Sequence, residues 1–236
     1  MMNTLYSIIL WSIGVTLTMV IGIMGLISSV VAGRDSIYIF TRMWGRALCV
    51  VGGAKVEVEG KENIDPNQSY LFAMNHQSFF DIFAVMGYVD VPLVWVPKKS
   101  LFNIPVVGWC MRRMGFIEID RRNPLLAMRK LEEESRELKS RKSIILFPEG
   151  TRTRDGSLGA FKRGILIVIK NTKMPLLPVT INGSHKLMGK GSINVHPGPI
   201  KITIGKPIDT SNLRDDKGDA LLQTLRASIE ANLSNR

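Results

Sequence analysis

A histidine and an aspartate five residues apart, His76 and Asp81, are the side chains in this sequence best suited to acid–base chemistry. An apolar, strand-like run from Tyr70 to Met74 precedes them, and a helix-like run from Ile82 to Met86 follows. Catalytic groups of open α/β sheets commonly lie at such strand-to-helix junctions. The histidine can act as a base, and the aspartate can hold its ring and stabilise the charged form. No serine or cysteine nucleophile is clearly supplied, so the base is predicted to act directly on a substrate hydroxyl.

A purely structural role for the same residues is the alternative interpretation. Ser78 followed by Asp81 fits a capping box that opens a helix at Phe79. In that case Asp81 is only a carboxylate at a helix start, and His76 is only a loop residue. A zinc site on the pair would need further ligands that the sequence does not supply, so no metal is expected.

A second group of polar residues follows the apolar, strand-like run Ser143–Phe147. Glu149 can accept hydrogen bonds from hydroxyl groups, and Arg152 can bind a phosphate through its planar donor fork. Gly150 and Thr151 lie between them, in a loop punctuated by proline and glycine. The run therefore predicts a substrate site at the edge of the sheet.

Basic residues recur where other predicted strands end, at Lys98-Lys99 and at Asp120-Arg121-Arg122. Together with a formal net charge of +11, they indicate an anionic partner: nucleic acid, acidic lipid or a phosphorylated substrate. For each residue, simple decoration of the surface is the alternative. Nucleic acid is not expected, because the chain has no recognisable nucleic-acid motif and an apolar N-terminal segment does not fit that function.

Strand-like and helix-like segments alternate after residue 53, which predicts an α/β fold with a mostly parallel sheet flanked by helices. The predicted strands are Lys55–Glu59, Tyr70–Met74, Leu93–Val96, Phe116–Ile119, Ser143–Phe147, Leu176–Ile181, Ile193–His196 and Ile200–Ile204. The predicted helices are Phe79–Tyr88, Val106–Met114, Pro124–Ser140, Phe161–Asn171 and Asp216–Leu233.

The first 33 residues carry no charged side chain, and the run from Leu5 to Ala32 is strongly apolar. As a helix this run would be roughly 40 Å long, more than the hydrocarbon thickness of a bilayer. It is too long for a signal-peptide core and has no basic residue before it. A second segment, Ser36–Val51, carries Arg42 and Arg46 on one face and suits the membrane interface. The sequence thus predicts a two-helix membrane anchor.

Gly52-Gly53 marks the expected boundary between this anchor, residues 1–53, and the remaining domain, residues 54–236. Two arrangements of the anchor fit. The first helix spans the bilayer, with the basic flank holding the domain in the cytoplasm, or both helices form a hairpin that dips into one leaflet.

Four ordered blocks resemble those of the glycerolipid acyltransferases, and the match is closest to bacterial 1-acyl-sn-glycerol-3-phosphate acyltransferases. The blocks are Asn75-His76 with Asp81, Gly115–Arg121, Phe147–Arg152 and Leu177–Ile181. The resemblance covers about Lys55 to Lys206, together with the apolar N-terminus.

The resemblance implies a role for each site residue. His76 is the expected general base, and Asp81 is its orienting partner. The acceptor phosphate is expected on the cations Lys98, Arg121 and Arg152, with Lys98 chosen over Lys99 by alignment. Glu149, Gly150 and Thr151 are expected to contact the substrate, the first two at its glycerol moiety.

The implied reaction transfers a fatty acyl group from acyl-CoA or acyl carrier protein to the sn-2 hydroxyl of lysophosphatidic acid, giving phosphatidic acid for phospholipid biosynthesis. No cofactor is expected beyond the acyl thioester co-substrate. The expected location is a bacterial inner membrane, with the catalytic domain on its cytoplasmic side.

Three rivals remain open at this point. The same chemistry could use glycerol-3-phosphate or another lysolipid as acceptor. A hydrolase would use water in place of the lipid hydroxyl. A noncatalytic membrane adaptor would use the basic charge alone, and it would tolerate the loss of His76.

Overall fold

A computed structural model describes residues 2–118, 129, 133, 142–211, 213 and 218–234. Within these residues, six strands form one sheet in the order β1-β6-β5-β2-β4-β3. Every neighbouring pair is parallel except β5 and β6. The strands are β1 (Ala54–Glu59), β2 (Leu71–Met74), β3 (Leu93–Trp95), β4 (Ser143–Leu146), β5 (Leu176–Asn182) and β6 (Gly198–Ile204). The predicted α/β class with a mostly parallel sheet is confirmed.

Seven α-helices whose two ends both lie in the described residues accompany the sheet, and Arg129 and Glu133 are helical as well. The seven are α1 (Met2–Val31), α2 (Ile37–Val51), α3 (Phe80–Tyr88), α4 (Val107–Met114), α5 (Ile165–Thr172), α6 (Ser184–Leu187) and α7 (Gly218–Glu230). Short 3₁₀ turns occupy Arg34–Ser36, Lys61–Asn63 and Lys99–Asn103. The central strands β2, β4 and β5 are buried along their whole length, as expected for a parallel sheet covered on both faces.

Most sequence predictions agree with these elements, but two strands do not form. Ile193–His196 is a loop, and its backbone groups pair outside any sheet: the Val195 N–H donates to Ser7 Oγ, and the Ile193 carbonyl accepts from Trp11. Phe116–Glu118 forms no strand either, because the Phe116 N–H still donates to the Met111 carbonyl at the end of α4. Ile119 and most of the predicted helix Pro124–Ser140 lie outside the described residues.

The predicted two-helix anchor becomes one apolar helix and one packed helix. Among the described helices, only α1 is long and apolar enough to cross a membrane, over Thr4–Val31, and its large side chains are mostly exposed. Unlike α1, α2 is amphipathic and buries Ile37, Tyr38 and Cys49 in the core. The exposed apolar surface of α1 indicates association with a membrane. The boundary at residue 53 stays a prediction.

Helix α2 lies against α3 with almost no space between the two backbones. A Cβ atom on Gly45 would come within 2.6 Å of the Gly87 backbone nitrogen, so both helices need glycine at their crossing. The Arg46 Nε donates to the Gly87 carbonyl at 2.7 Å, and the Trp44 and Phe83 rings pack edge to face. The apolar N-terminal region is therefore fixed to the helix that begins beside Asp81.

Candidate active site

The site lies where the parallel strands β2, β4 and β5 end together. Asn75, directly after β2, uses both ends of its side-chain amide: it donates to the Ile181 carbonyl at 2.8 Å and accepts from the Ile181 N–H at 2.7 Å. This side chain thus extends the pairing of β2 with β5 by one residue, in the manner of a strand. His76 follows at once, and its position is therefore set by the sheet.

Asp81 lies fully buried in the first turn of α3 and accepts four hydrogen bonds. Its Oδ2 accepts from His76 Nδ1 at 2.7 Å, from the Gln77 N–H at 2.7 Å and from the Ser78 N–H at 2.9 Å. Its Oδ1 accepts from the Ser184 hydroxyl. The carboxylate therefore serves as a helix-start acceptor and as a partner of His76 at once, so the two interpretations of the sequence are compatible.

The His76 ring is held in one orientation with one nitrogen left for chemistry. A carboxylate at Nδ1 requires that nitrogen to carry the proton, which leaves the lone pair on Nε2. The ring stacks on Phe147 with centroids 4.0 Å apart and planes inclined by 24°. The side chain is 17% exposed and lines a cavity. Such an imidazole can accept a proton from a hydroxyl group that enters this cavity.

Glu149 faces the protein and not the cavity. Its Oε1 accepts from the His76 N–H and its Oε2 from the Gly159 N–H, both at 2.8 Å. The pKa of this carboxyl is raised, because burial disfavours its charged form by more than the two N–H donors favour it. The predicted contact with glycerol stays a prediction, since the structure places Glu149 beneath His76, where it joins the ends of β2 and β4.

Gly150, Thr151, Arg152 and Lys98 line the same cavity as His76. The Arg152 guanidinium lies over the Phe79 ring, with its carbon 4.0 Å from the ring centroid. Burial lowers the pKa of Arg152 and the charge of Asp81 raises it, so the group stays cationic beside the dyad. Lys98 is exposed at the start of the 3₁₀ turn. Two cations are thus available for an anionic group in the cavity that His76 lines, and Arg152 is the one beside the dyad.

The predicted site residue Arg121 lies outside the described residues, together with Asp120 and Arg122. Its assignment to the acceptor phosphate stays a prediction.

The cavity, of about 790 Å³, runs from His76 to the N-terminal helices. The walls that come from three helices are mainly apolar, with Ile21 and Gly22 of α1, Phe40 and Trp44 of α2, and Met111 and Met114 of α4; Thr18 and Thr41 are the polar side chains that α1 and α2 add to this lining. Its volume is in the range of ordinary ligand pockets. The arrangement suits a long apolar chain with a reactive polar end beside His76.

Four residues near the dyad escaped the sequence analysis. Gln77 and Ser184 surround Asp81, the Gly159 N–H binds Glu149, and Lys190 Nζ donates to Thr151 Oγ1 at 3.0 Å. Ser184 stands just after β5, the sheet neighbour of β2. The sequence marks the turn after β5 only by Gly183, which has φ +87 and whose Cβ position would lie 2.3 Å from the Pro199 carbonyl oxygen; nothing local in the sequence places Ser184 beside Asp81.

The fold and the site define an α/β protein in which a histidine–aspartate pair faces a long, mainly apolar cavity. Residues 55–182, more than half of the chain, match the family described as Acyltransferase, and the chain belongs to that family.

Two curated relatives and one solved structure extend this result. The chain is 31% identical over 194 residues to the chloroplastic 1-acyl-sn-glycerol-3-phosphate acyltransferase of Arabidopsis thaliana, covering 81% of this chain and 52% of the relative. It is 36% identical over 157 residues to the enzyme of the same name from Pseudomonas aeruginosa, covering 66% and 60%. The chain thus spans about half to three fifths of these two relatives.

The solved structure is the crystal structure of the 1-acyl-sn-glycerophosphate (LPA) acyltransferase PlsC from Thermotoga maritima. It superposes with a TM-score of 0.83 at 27% identity, covering 97% of this chain and 95% of the other. The likeness therefore includes the N-terminal helices as well as the sheet.

Proposed function

We propose that the protein transfers a fatty acyl group from an acyl thioester to the sn-2 hydroxyl of 1-acyl-sn-glycerol-3-phosphate, giving phosphatidic acid. One observation carries the proposal: an oriented His76–Asp81 dyad, 2.7 Å between Nδ1 and Oδ2, opens onto a mainly apolar cavity that Lys98 and Arg152 also line. The names of the relatives and of the solved structure support this choice of substrates.

In the first step, His76 Nε2 takes the proton of the sn-2 hydroxyl while the oxygen bonds to the thioester carbonyl carbon. General-base assistance of this kind contributes roughly 100- to 10,000-fold to a rate. The buried Asp81 carboxylate stabilises the imidazolium that forms. In the second step the carbon–sulfur bond breaks, and the thiolate takes the proton from His76. The products are an ester and a free thiol, and the dyad returns to its starting state.

The acceptor is selected by charge. Arg152 and Lys98 stand where the phosphate of a lysophosphatidic acid can lie while its hydroxyl reaches His76. A neutral lysolipid would leave both cations without a partner. Glycerol-3-phosphate supplies the charge but no chain for the apolar cavity. A substrate with both features fits this site best.

The donor is proposed to be acyl-CoA or acyl carrier protein, each of which presents a thioester at the end of a phosphopantetheine arm. No cofactor beyond this co-substrate takes part in the proposed steps.

We propose further that α1 lies within one leaflet. Polar contacts join it to the rest of the protein at both ends: Ser7 accepts from the Val195 N–H, and Ser29 accepts from Arg113. These residues are 22 positions apart, about 33 Å of helix. A spanning α1 would hold this polar partner surface inside the hydrocarbon, which is costly. Exposed Ile39, Met43 and Trp109 extend the apolar face of α1, so one surface of the protein would meet the membrane, proposed as the cytoplasmic face of a bacterial inner membrane.

The decisive experiment offers the purified protein an acyl thioester with lysophosphatidic acid and glycerol-3-phosphate in equal amounts, beside the same assay with water as the only acceptor. Phosphatidic acid as the main product supports the proposal. Lysophosphatidic acid as the main product would move the enzyme to the earlier acylation, and thiol release without lipid product would identify a hydrolase.

The one-leaflet arrangement is tested separately with Thr4→Cys and Asp35→Cys, two exposed polar positions on either side of the apolar run from Leu5 to Ala32, in a protein whose Cys49 and Cys110 are replaced by alanine. A membrane-impermeant maleimide should label both from the same side of sealed vesicles. Labelling from opposite sides would establish a spanning helix.

A further inference from the structure

Among the described residues, only Ser184 donates a hydrogen bond to Oδ1 of the Asp81 carboxylate. Asp81 Oδ2 has three donors, whereas Oδ1 has the Ser184 hydroxyl alone. Both side chains are fully buried, so water does not replace a missing donor. The orientation of the carboxylate about its own axis therefore depends on this hydroxyl.

A second acceptor, Gln77 Oε1, competes with Asp81 for the Ser184 hydroxyl proton. Ser184 Oγ also lies 3.3 Å from Gln77 Oε1, a neutral acceptor. That oxygen is within 3.2 Å of His185 Nδ1, and burial lowers the pKa of His185, which favours a neutral ring that donates from Nδ1. The Gln77 amide nitrogen is held by the Gly156 carbonyl at 2.9 Å. Because His185 can donate to Gln77 Oε1, the Ser184 hydroxyl is free to donate its proton to the charged Asp81 carboxylate, which is the stronger acceptor.

We propose that Ser184 is a positioning residue for the reaction, acting through Asp81 on His76. Ser184 does not line the cavity, so it acts without contact to the substrate. It comes from the turn after β5, a different element from the one that carries the dyad. The catalytic arrangement is thus completed across the sheet by three parts: His76 after β2, Asp81 on α3 and Ser184 after β5. This inference rests on the proposed function only for its kinetic readout.

Loss of the hydroxyl should affect turnover and not binding. Because the substitution removes a hydrogen bond to a charged group, Ser184→Ala should lower kcat on the order of tenfold or more, with KM within about twofold of wild type. A hydrogen bond that a carboxylate accepts stabilises its charged form, so the loss of this donor makes protonation of the dyad easier. The acid limb of the pH–rate profile should therefore move to higher pH. Glu149, Arg152 and His185 also interact electrostatically with the dyad, and this substitution removes none of them.

Ser143→Ala is the matched control. Ser143 is also a buried serine, but its Oγ accepts from the Tyr70 N–H at the beginning of β2, away from the dyad. This variant should lose stability without any movement of the acid limb. If Ser184→Ala does not accumulate as folded protein, Ser184→Cys takes its place, because a thiol keeps the volume and donates only weakly.

A second readout needs no substrate. The chain has three histidines, so the ring signals in a histidine-labelled sample can be assigned with His76→Ala and followed by NMR against pH. The His76 titration should move to higher pH in the Ser184 variant. A kcat within twofold of wild type, a loss equal at every pH, or an unmoved His76 titration overturns the inference. If the wild type forms no phosphatidic acid, the proposed function fails, and the NMR titration alone decides the role of Ser184.

Discussion

The two ends of the cavity are built by opposite means. At the His76 end, the polar atoms of Asn75, Asp81 and Glu149 each have fixed partners within 3 Å, from backbone N–H groups or from side chains. At the other end, α1, α2 and α4 contribute mainly apolar side chains and glycines. Proton transfer depends on fixed positions of the reacting atoms, whereas binding of a hydrocarbon chain requires only an apolar cavity of sufficient volume. Substitutions at the two ends should therefore change different kinetic quantities.

The largest effect is expected from His76→Ala, which removes the base at the polar end. Turnover should fall by roughly 100- to 10,000-fold, the usual contribution of a general base, while folding and membrane binding persist. Phosphatidic acid formation by the purified variant is the measurement, with His196→Ala, an exposed histidine outside the site, as control. Near-normal turnover without the imidazole would exclude the proposed mechanism.

The next largest loss of turnover is expected from Asp81→Asn. An amide presents a donor to the N–H groups of Gln77 and Ser78 or to His76, so it disrupts the loop and favours the wrong ring tautomer. A kcat loss on the order of 100- to 10,000-fold is expected, because the same change in a catalytic triad has a severe effect.

Asp90→Asn is the matched control for this change. Asp90 is exposed, with Arg46 and Lys61 within 4 Å, and lies just after the same helix α3. If Asp81→Asn lowers activity no more than Asp90→Asn does, Asp81 has only a capping role.

Glu149→Gln distinguishes the predicted contact with glycerol from support of His76. The amide keeps one acceptor but turns its NH₂ group toward one of two N–H donors, from His76 or Gly159. We expect a fall in kcat of about tenfold, from one lost charge-assisted hydrogen bond, with little change in KM for the acceptor. A raised KM alone would indicate a direct contact with glycerol. Glu59→Gln, at an exposed position far along β1, is the control.

Arg152→Ala should mainly weaken binding of the acceptor. The loss of a cation from the phosphate subsite should raise KM about tenfold, with a smaller effect on kcat. Steady-state kinetics with varied lysophosphatidic acid measure this, and the exposed neighbour Arg154 provides the matched alanine variant. Equal effects of the two variants would indicate that Arg152 contributes only general surface charge.

The smallest effect is expected at the apolar end. A Cβ atom at Gly22 would come within 2.6 Å of Val106 Cγ1, so Gly22→Ala should reduce the space for the acyl chain. The kcat/KM ratio for long over short donors should fall by up to about tenfold, with short donors little affected. Gly14→Ala, whose Cβ would meet only Leu48 at 3.4 Å, is the control. An unchanged chain-length profile would place the acyl chain elsewhere.

The sequence predicts the parts of the site that lie close together in the chain. His76 and Asp81 can be found because a strand-to-helix junction brings them together locally, and β2 and α3 form within one or two residues of the predicted positions. Ser184 could not be found in this way, because its contact with Asp81 spans 103 residues and depends on strand order. Only the pairing of β5 with β2 places it there.

The prediction also fails where tertiary contacts replace local pattern. The alternating residues of Ile193–His196 suit a strand, but Trp11 and Ser7 of α1 satisfy backbone groups that a sheet neighbour would otherwise pair. Helix α5 begins at Ile165, four residues later than predicted, because Lys162 still pairs with the Pro148 carbonyl of the loop that carries Glu149. In both places, backbone groups that the predicted strand or helix would have paired instead form hydrogen bonds with another part of the chain, α1 in the first case and the Glu149 loop in the second.

The glycine crossing of α2 and α3 has a practical consequence for anyone who wishes to produce this protein without its apolar N-terminus. A shortened protein that begins at residue 54 would lose α2 along with α1. Its α3 would then expose the backbone around Gly87 and the ring of Phe83 that Gly45 and Trp44 now cover. Because Asp81 opens α3, the damage would reach the dyad. Solubility must therefore be sought by replacing the exposed side chains of α1 and not by deletion.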